Sequence, residues 1–401
     1  MENRCKTKVK MEEINIKNNL PNDVLEHIIK HLPLKDFLNL RIICRSWNDI
    51  ISKAVVNKRC RHLVEIPLVF AQYVLDFAQY VDMRCFYSFL WSEGARYCKT
   101  PLLGPMNRCH GSIEGWLIVS DYSEKTFATF FLLNPVTNKR IVIPSKYYFP
   151  SNSPDQCDKK IFMGKMVASS NPCCDGADCI LVGLSTDCCH IVLYKFYDDS
   201  WTMIEPDDSY STFIDVEVIG KKVYVSTARM LLQSILVYDV DNCTTGSPKA
   251  EFLAYHPRPR SLEPRPYTSF LARDEALKYL YIIHMFDTWE RKTRDVNTFQ
   301  VFKLEVNNHV EWQIANLKDK VVFVSGLKSI VMLRDKFAGD KELIEENCVY
   351  FTLNSQCSIY PKSGLQLGKF CFTDSRIKYF PVETTDPWLV PSPVWFLPSV
   401  W

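Results

Sequence analysis

"CILVGLSTDCCHIVLY" (179–194) indicates a β-hairpin: two runs rich in Ile, Leu and Val flank a polar turn near Thr186. Stretches of the same texture recur from about Cys85 onward, and Gly, Asp, Asn or Ser residues separate them. These strand-like stretches are 85–91, 115–121, 129–135, 139–144, 179–184, 190–196, 221–227, 234–240, 278–286, 299–306, 321–326, 347–353 and 368–374. No long helical pattern interrupts them, so the chain is predicted to be mainly β after this point.

Many short strands in hairpin order favour a sandwich, a barrel or a propeller. The region from Cys85 to the C-terminus is too long for one sandwich and suits six or seven blades of about 40–50 residues each. Its repeat is weak, because the sequence contains neither a Gly-Gly pair nor a Trp-Asp dipeptide. An ordinary kelch array and an ordinary WD array are therefore both disfavoured.

The segment 20–56 has a helical pattern instead. Its first apolar residues recur at the spacing of one helix face: Val24, Leu25, Ile28, Ile29 and Leu32. Pro21 suits the first helical position, and Pro33 ends the helix. Two further short helices are predicted, one through Leu40 and one around Trp47. Three helices of this size bury little by themselves, so they need the rest of the chain or a partner.

Composition restricts the classes of function. The 401 residues include 48 Lys and Arg against 46 Asp and Glu, a balance that argues against a general nucleic-acid binder. No apolar run reaches the roughly 18 residues needed to span a bilayer. Residues 1–10 are polar and basic, unlike a secretory signal. We therefore expect a reducing location, cytoplasmic, nuclear or both, in which the 16 cysteines are free thiols.

The sequence "LPNDVLEHIIKHLPLKDFLNLRIICRSWNDI" (20–50) resembles an F-box in its Leu-Pro start, its helix face, its Leu34 and Asp36, and its Cys-Arg-Ser-Trp segment. The resemblance implies a helical plug for the Skp-type adaptor of a cullin-RING ubiquitin ligase, whose surplus apolar surface is an interface. Two roles are equally consistent with Trp47: it contacts the adaptor, or it holds the three helices together. The residues expected to bind the adaptor are Leu20, Pro21, Val24, Leu25, Ile28, Ile29, Leu32, Leu40 and Trp47.

The remainder is similar to the C-terminal propeller of plant F-box proteins of the KIB type. Four blocks carry this resemblance: "LLNPVTNKRIVIP" (132–144), "NLKDKVVFVSG" (316–326), "ENCVYFT" (346–352), and "GKFCFTDSRIKYFP" (368–381) followed by "PVWFLPSVW" (393–401). The expected organisation is a three-helix F-box followed by a six- or seven-bladed β-propeller. The expected segments are a flexible lead at 1–18, the F-box at 19–58, a linker at 59–84 and the propeller at 85–401.

The resemblance implies a non-catalytic substrate receptor, in which the propeller holds an unknown target protein near the ligase. One alternative is an interaction scaffold that works without the ligase. Another is an enzyme built on a propeller, which would place Asp, His or Arg side chains together at the central channel. The sequence contains no nucleophile elbow, phosphate loop or dinucleotide fingerprint, and no cofactor is expected.

Two sets of possible metal ligands are present. His27 and His31 have helical metal-ligand spacing, but no Glu follows the first His, so we interpret them as solvated side chains. A second set of possible zinc donors is Cys174, Cys179, Cys188 and His190. The predicted hairpin places Cys179 opposite Leu193 and far from Cys188, so thiols without a metal are favoured over a zinc site.

Three further segments have alternative interpretations. The aromatic tail (Trp388, Trp395, Phe396 and Trp401) is expected to seal the last blade against the first, with a ligand cage as the alternative. The near-repeat of 70–74 at 77–81 indicates a duplication within the linker or a small helix. The Pro-rich segment 256–266 indicates an exposed connection between blades, with an SH3 ligand as the alternative.

Overall fold

The structure is a computed structural model, and it describes most of the strand region but little of the N-terminal segment. The chain divides into two compact units, Met1–Leu63 and Val64–Val400. The described residues are 24, 27, 28, 67–73, 83–87, 97–99, 103, 106–124, 127–135, 137–143, 146–148, 163–171, 178–196, 198–204, 211–229, 232–241, 248–257, 268–290, 293–306, 311–337, 344–354, 365–380 and 393–397. Within this part of the chain, no helix has the length and apolarity that crossing a membrane requires.

Three sheets in the middle of the second unit are antiparallel meanders in chain order. The first contains β4 (Asn107–Ile113), β5 (Trp116–Asp121), β6 (Phe127–Asn134) and β7 (Lys139–Val142), with β8 (Tyr147–Tyr148) also paired to β6. The second contains β9 (Met163–Ala168), β10 (Ile180–Ser185), β11 (Ile191–Lys195) and β12 (Thr202–Ile204). The third contains β13 (Ser211–Ile219), β14 (Lys222–Arg229), β15 (Leu232–Asp239) and β16 (Ala250–Tyr255).

A nine-stranded sheet follows, and it consists of two groups of strands joined by a parallel pairing. Its first group contains β17 (Thr268–Asp274), β18 (Tyr279–Glu290), β19 (Thr293–Glu305) and β20 (Gln313–Ile314). Its second group contains β21 (Lys320–Val324), β22 (Ile330–Leu333), β23 (Cys348–Asn354), β24 (Leu365–Cys371) and β25 (Arg376–Phe380), with a 3₁₀ turn at Arg334–Lys336. Strand β17 pairs with β22, and β21 pairs in parallel with β23.

The remaining sheet combines strands from the two ends of the unit. It contains β1 (Leu68–Tyr73), β2 (Met83–Tyr87), β3 (Tyr97–Lys99) and, beside β1, β26 (Val394–Phe396). The described strands therefore form six groups, since four of the five sheets are single groups and the nine-stranded sheet contains two.

Each group packs on the next, and the last packs on the first. Six apolar clusters fill the six spaces, and each cluster takes residues from two neighbouring groups. Round the ring, residues that share a cluster include Phe70 with Phe131, Phe130 with Tyr194, Val182 with Val218, Tyr224 with Leu280, Val301 with Phe351, and Tyr350 with Trp395. The sheets are therefore arranged as in a β-propeller, and strands buried on both faces show continuous apolar runs rather than alternation.

The C-terminal strand β26 closes this ring. Val69 of β1 pairs with Trp395, whose side chain is 1% exposed. The indole Nε1 of Trp395 donates a hydrogen bond to the Val324 carbonyl at 2.8 Å, and the Ser112 hydroxyl donates to the Trp395 carbonyl at 2.5 Å. One residue thus joins the first, second and sixth groups, which agrees with the sealing role expected for Trp395 and Phe396; Trp388 and Trp401 lie outside the described residues.

The first strands of neighbouring groups approach one another closely. Strand β4 contacts β9, and a Cβ atom added at Gly111 of β4 would lie 2.0 Å from the Met166 carbonyl oxygen of β9. Only glycine fits at this position, because backbone rather than a movable side chain blocks the space.

The thirteen predicted strand-like stretches all correspond to strands, but the sequence did not predict the other strands, β4, β9, β13 and β17 among them, and it misjudged two details. Strands β10 and β11 form the expected hairpin, and Thr186 lies in its turn. The helical interpretation of the near-repeat is wrong for its first copy, because β1 covers Leu68–Tyr73, inside the predicted linker. The second copy and the Pro-rich segment lie largely or wholly outside the described residues.

The register of the β10–β11 hairpin also differs from expectation. Leu193 pairs with Val182, and Cys179 instead accepts a hydrogen bond from the backbone N–H of Phe196. The turn is centred between Asp187 and Cys188 rather than on Thr186, so each residue of β10 lies opposite a residue about three positions later in the chain than expected.

Replacing Trp395 with alanine should destabilise the whole ring. The substitution removes a buried indole, its hydrogen bond and the packing between the first and last groups, which together should cost about 3–5 kcal/mol. Urea unfolding at equilibrium measures this change in the free energy of unfolding. Leu232→Ala, at a side chain that is 61% exposed, is the control and should change little. Equal stability of the two variants would show that β26 does not close the ring.

Candidate functional site

Two places in the structure could carry function: the helix of the first unit and the polar interior of the second. Val24, His27 and Ile28 are helical, as the sequence predicts for this segment. Val24 and Ile28 lie one turn apart on one helix face and are 42% and 37% exposed. Two large apolar side chains on one helix face are therefore open to solvent and available to a partner.

The other residues expected to bind the adaptor lie outside the described residues. They are Leu20, Pro21, Leu25, Ile29, Leu32, Leu40 and Trp47. The three-helix arrangement and the contacts of these residues thus stay predictions. His31, the second member of the histidine pair, is also outside this part, whereas His27 is exposed.

Among the described residues of the second unit, five charged side chains are the most deeply buried. They lie on strands β9, β13 and β17 and in the turn between β21 and β22, and each is at most 5% exposed. The five are Lys165, Asp215, Glu217, Arg273 and Lys328. Asp215 and Glu217 are two residues apart on β13 and so face the same side of that strand. We call these five residues the interior charge cluster.

Lys165 and Asp215 form the tightest pair of the cluster. The Lys165 ammonium lies 2.6 Å from Asp215 Oδ1. The same carboxylate accepts backbone N–H groups from Val216 at 2.7 Å and Leu271 at 2.8 Å. Burial raises the pKa of the Asp215 carboxyl, whereas the ammonium and the two N–H groups favour its charged form. The pair therefore ties β9, β13 and β17 together.

Glu217 lies between the other two cations. Its Oε1 is 4.0 Å from Arg273 Nε, and its Oε2 is 3.7 Å from Lys328 Nζ. The Arg273 guanidinium donates hydrogen bonds to the carbonyls of Ser169 at 2.8 Å and Val218 at 2.6 Å. Burial lowers the pKa of the Lys328 ammonium to about 8. The cluster thus links residues from four of the six groups.

This cluster has the composition that an enzyme on a propeller would require, but its members are engaged with one another. An acid–base catalyst must lie within hydrogen-bond reach of a substrate, at about 2.6–3.2 Å. Lys165, Asp215 and Arg273 instead make their hydrogen bonds to protein groups and have almost no exposed surface. The observed geometry supports a role in holding the strands together.

Two further histidines, His110 and His284, are buried, and a third, His256, is partly buried. His110 Nε2 is 2.6 Å from the Ser120 hydroxyl, and burial lowers the pKa of this imidazole to about 4. His256 and His284 stack with ring centroids 6.1 Å apart, and burial lowers their pKa values to about 3 and 4. Neither ring nitrogen of His284 has a hydrogen-bond partner in the described part of the chain. All three rings are therefore neutral at pH 7.

The cysteines considered as zinc ligands are separated. Cys179 precedes β10, where burial raises the pKa of its thiol to about 11, whereas Cys188 lies in the turn at the far end of that strand. Since strands rise about 3.3 Å per residue, one zinc ion cannot reach both thiols. His190 contacts Asp187 at 3.3 Å, and Cys174 lies outside the described residues.

The expectation that all cysteines are free thiols is wrong for one pair. Cys348 and Cys371 form a disulfide between β23 and β24. They lie directly opposite each other in the strand register, with their Cα atoms 4.3 Å apart. The two cysteines are 23 positions apart in the sequence, so only the strand pairing reveals that they meet.

Lys165→Met should destabilise the second unit by about 3–5 kcal/mol, because the buried Asp215 carboxylate would lose its cation. Lys165→Met combined with Asp215→Asn removes both charges but keeps an acceptor, and should recover most of that loss. The control is Lys221→Met. Lys221 lies 2.9 Å from the exposed carboxylate of Asp241, and loss of this exposed ion pair should change stability little. Urea unfolding of these variants measures the coupling, and its absence would contradict the structural role of the pair.

The second unit should lose stability as the pH falls from about 6.5 toward 4. In this window the unfolded chain binds protons at His110, His256 and His284, while the folded chain does not, so protonation favours unfolding. In His284→Phe the unfolded chain binds one proton fewer in this window. The slope of the free energy of unfolding against pH should therefore fall by up to about 1.4 kcal/mol per pH unit. Urea unfolding at several pH values checks this, and identical slopes for both proteins would contradict it.

Comparison with known proteins finds a matching domain family for each of the two parts of the chain. Residues 18–59 match the F-box domain, and residues 86–373 match the family described as KIB1-4 beta-propeller. No curated protein is similar enough to the chain to count as a match. An F-box domain supports binding of Skp-type adaptors in general, and both domain types are typically non-catalytic interaction modules.

Several solved structures are distantly similar. A chain of a nidogen–laminin complex is 9% identical over 83% of this chain and 99% of its own, with a TM-score of 0.41. Hydrazine synthase of Kuenenia stuttgartiensis is 13% identical over 72% of this chain and 69% of its own, with a TM-score of 0.34. TolB of Acinetobacter baumannii is 10% identical over 68% of this chain and 70% of its own, with a TM-score of 0.27.

These structural likenesses are too weak to carry an argument. The family match covers more than half of the 401 residues, and its order of F-box then propeller agrees with the resemblance of the sequence. The chain therefore belongs to the KIB1-4 beta-propeller family and carries an F-box domain ahead of its propeller.

Proposed function

We propose that this protein is the substrate-recognition subunit of a Skp–cullin–F-box ubiquitin ligase. Its F-box binds the Skp-type adaptor and through it a cullin, while its propeller binds a target protein for ubiquitination. The match of residues 18–59 to the F-box domain supports the first half of this proposal. The propeller, a typical interaction module, supports the second.

The observation that carries the proposal is the exposure of Val24 and Ile28. An apolar helix face is the kind of surface that docks into a hydrophobic groove of a partner. Both residues belong to the set expected from the sequence, and both keep more than a third of their surface open to solvent. Burying a fully exposed side chain of this size is worth roughly 1.5–3 kcal/mol, so covering the surface that each still exposes would recover roughly 0.6–1.2 kcal/mol.

The propeller would act by proximity rather than by chemistry. A closed ring of packed sheets holds the ends of its described strands in fixed positions, and a target bound at one end of the ring would meet the ubiquitin-loaded enzyme at a high effective concentration. The interior charge cluster supports this assignment, because its members stabilise the ring. A receptor of this kind would work in the cytoplasm, the nucleus or both.

An interaction scaffold without ligase function is the alternative. It shares the propeller and the F-box fold, so the structure of either domain does not separate the two. Binding to an adaptor, followed by ubiquitin transfer in the assembled complex, separates them.

Replacing Val24 or Ile28 with Asp in the full chain should weaken binding to a purified Skp-type adaptor by at least about tenfold, because a carboxylate would be buried in an apolar groove. Isothermal titration calorimetry measures the affinity. The matched control is Val142→Asp on β7, a propeller side chain that is 58% exposed, and it should bind as the unaltered chain does.

The folded state of each variant is checked by its circular dichroism and urea midpoint. A folded, unaltered chain that does not bind the adaptor would reject the receptor proposal and favour the scaffold. Binding that is lost in neither Asp variant would show that the adaptor uses another surface. Binding without ubiquitin transfer by the reconstituted adaptor–cullin–RING assembly would again favour the scaffold.

A further inference from the structure

The disulfide between Cys348 and Cys371 lies at one end of two paired strands. Cys348 begins β23 and Cys371 ends β24, so both cysteines lie at the same end of this strand pair. Cys348 is 1% exposed and Cys371 is 9% exposed. Both cysteines are therefore buried, and Cys371 is the less deeply covered of the two.

A carboxylate completes this corner of the sheet. Glu345 Oε2 lies 3.4 Å from the Cys371 sulfur, and the Glu345 side chain is 59% exposed. One donor atom from each of Glu345, Cys348 and Cys371 lies within 4.8 Å of the others. Among the described residues, this is the one group of three His, Cys, Asp or Glu side chains that meets this spacing.

The backbone around the three donors is held by hydrogen bonds. The Glu345 N–H donates to the Tyr350 hydroxyl at 3.1 Å. The Asn347 N–H donates to the carbonyls of Leu317 and Lys320 at 3.0 and 2.9 Å, and the Asn347 carbonyl accepts the Phe372 N–H at 3.0 Å. Both cysteines thus adjoin residues that are fixed by the sheet, which keeps the sulfur atoms close together whether or not they are bonded.

Lys369 orients the carboxylate. Its ammonium lies 2.6 Å from Glu345 Oε1, and Lys369 itself is 9% exposed. This bond leaves the other oxygen, Oε2, facing the sulfur atoms. Glu345 can therefore bind a cation through one oxygen while it keeps its ion pair, and the lysine acts as the outer partner that positions a metal ligand.

We propose that Cys348, Cys371 and Glu345 form a zinc-type metal site when the disulfide is reduced. Two thiolates and one carboxylate oxygen are ligands that zinc takes in a tetrahedral arrangement, with water in the fourth position. The exposed side of Glu345 gives that water access. Soft thiolate donors select zinc over magnesium or calcium, which prefer oxygen ligands alone.

The disulfide and the metal ion exclude each other, because each uses both sulfur atoms. A dithiol reductant supplies two electrons and two protons to the disulfide, yielding the two thiols, and is itself oxidised to a disulfide. Zinc then displaces the two thiol protons, which are released to solvent. The metal content of this corner therefore follows the redox state of the protein. This inference is independent of the proposed ligase function.

Cobalt(II) is the probe for the site, because cobalt bound to thiolates has a charge-transfer absorption band. Zinc bound to the same thiolates lacks this band, so displacement of cobalt by zinc is seen as its loss. The full chain is reduced with a dithiol, freed of reductant under anaerobic conditions and titrated with cobalt(II). We expect one equivalent to generate this absorption and zinc(II) to abolish it. The oxidised chain, with its disulfide verified by mass spectrometry, should lack the absorption that depends on this pair.

Variants assign the absorption to the site. Cys348→Ser and Cys371→Ser should each remove the charge-transfer band, and Glu345→Gln should weaken cobalt binding roughly tenfold or more while both sulfurs remain. Cys179→Ala is the matched control. It removes a buried cysteine that belongs to no donor group among the described residues, so it should leave the band unchanged.

Three results would overturn the proposal. The first is a reduced chain whose Cys348 and Cys371 react with an alkylating reagent but which binds no cobalt. The second is an unchanged band in both serine variants. The third is equal cobalt affinity in the unaltered chain and Glu345→Gln, which would remove the carboxylate from the site. If a serine variant does not fold, the comparison of oxidised and reduced unaltered chain and the Glu345→Gln variant still decide the question.

Discussion

The pairing of β26 with β1 is the constraint on which the second unit depends. This sheet combines strands from both ends of the unit, so its geometry requires the four intervening groups and the strands of the sixth to complete the ring. Trp395 strengthens this closure, because its indole and its carbonyl bond to residues of the sixth and second groups. A ring closed in this way has no free first or last sheet face, so each of the six apolar clusters is covered on both sides.

Closure also determines what the first strands of the groups must contain. These strands approach one another, and most of their described side chains are buried. Glycine at 111 permits the nearest backbone contact, and the interior charge cluster fills part of the remaining space. Its charges tolerate burial because each lies near an opposite charge or accepts and donates hydrogen bonds within the ring. A single member is costly to remove for the same reason.

These interior strands explain where prediction from sequence succeeded and failed. The strands that the sequence located, such as β10 and β18, bury apolar side chains on both faces and therefore show long apolar runs. Strands β4, β9, β13 and β17 were missed, because Lys, Asp, Glu, Arg or Gly interrupt their pattern. A buried charge looks like a solvated one in a sequence, and only the convergence of strands shows the difference. The disulfide was missed likewise, since it depends on the register of β23 and β24.

The two candidate sites differ in the same way: one depends on local sequence spacing and the other on the convergence of distant strands. The apolar face of the N-terminal helix could be found from local spacing, because Val24 and Ile28 need only one helix to come together. The interior charge cluster required the ring. A group that acts on a substrate must reach it, and Lys328, whose pKa of about 8 brings it near neutral pH, is only 4% exposed and faces Glu217. The interior charge cluster therefore supports the stability of the ring, whereas the exposed apolar side chains Val24 and Ile28 of the helix are available to bind a partner.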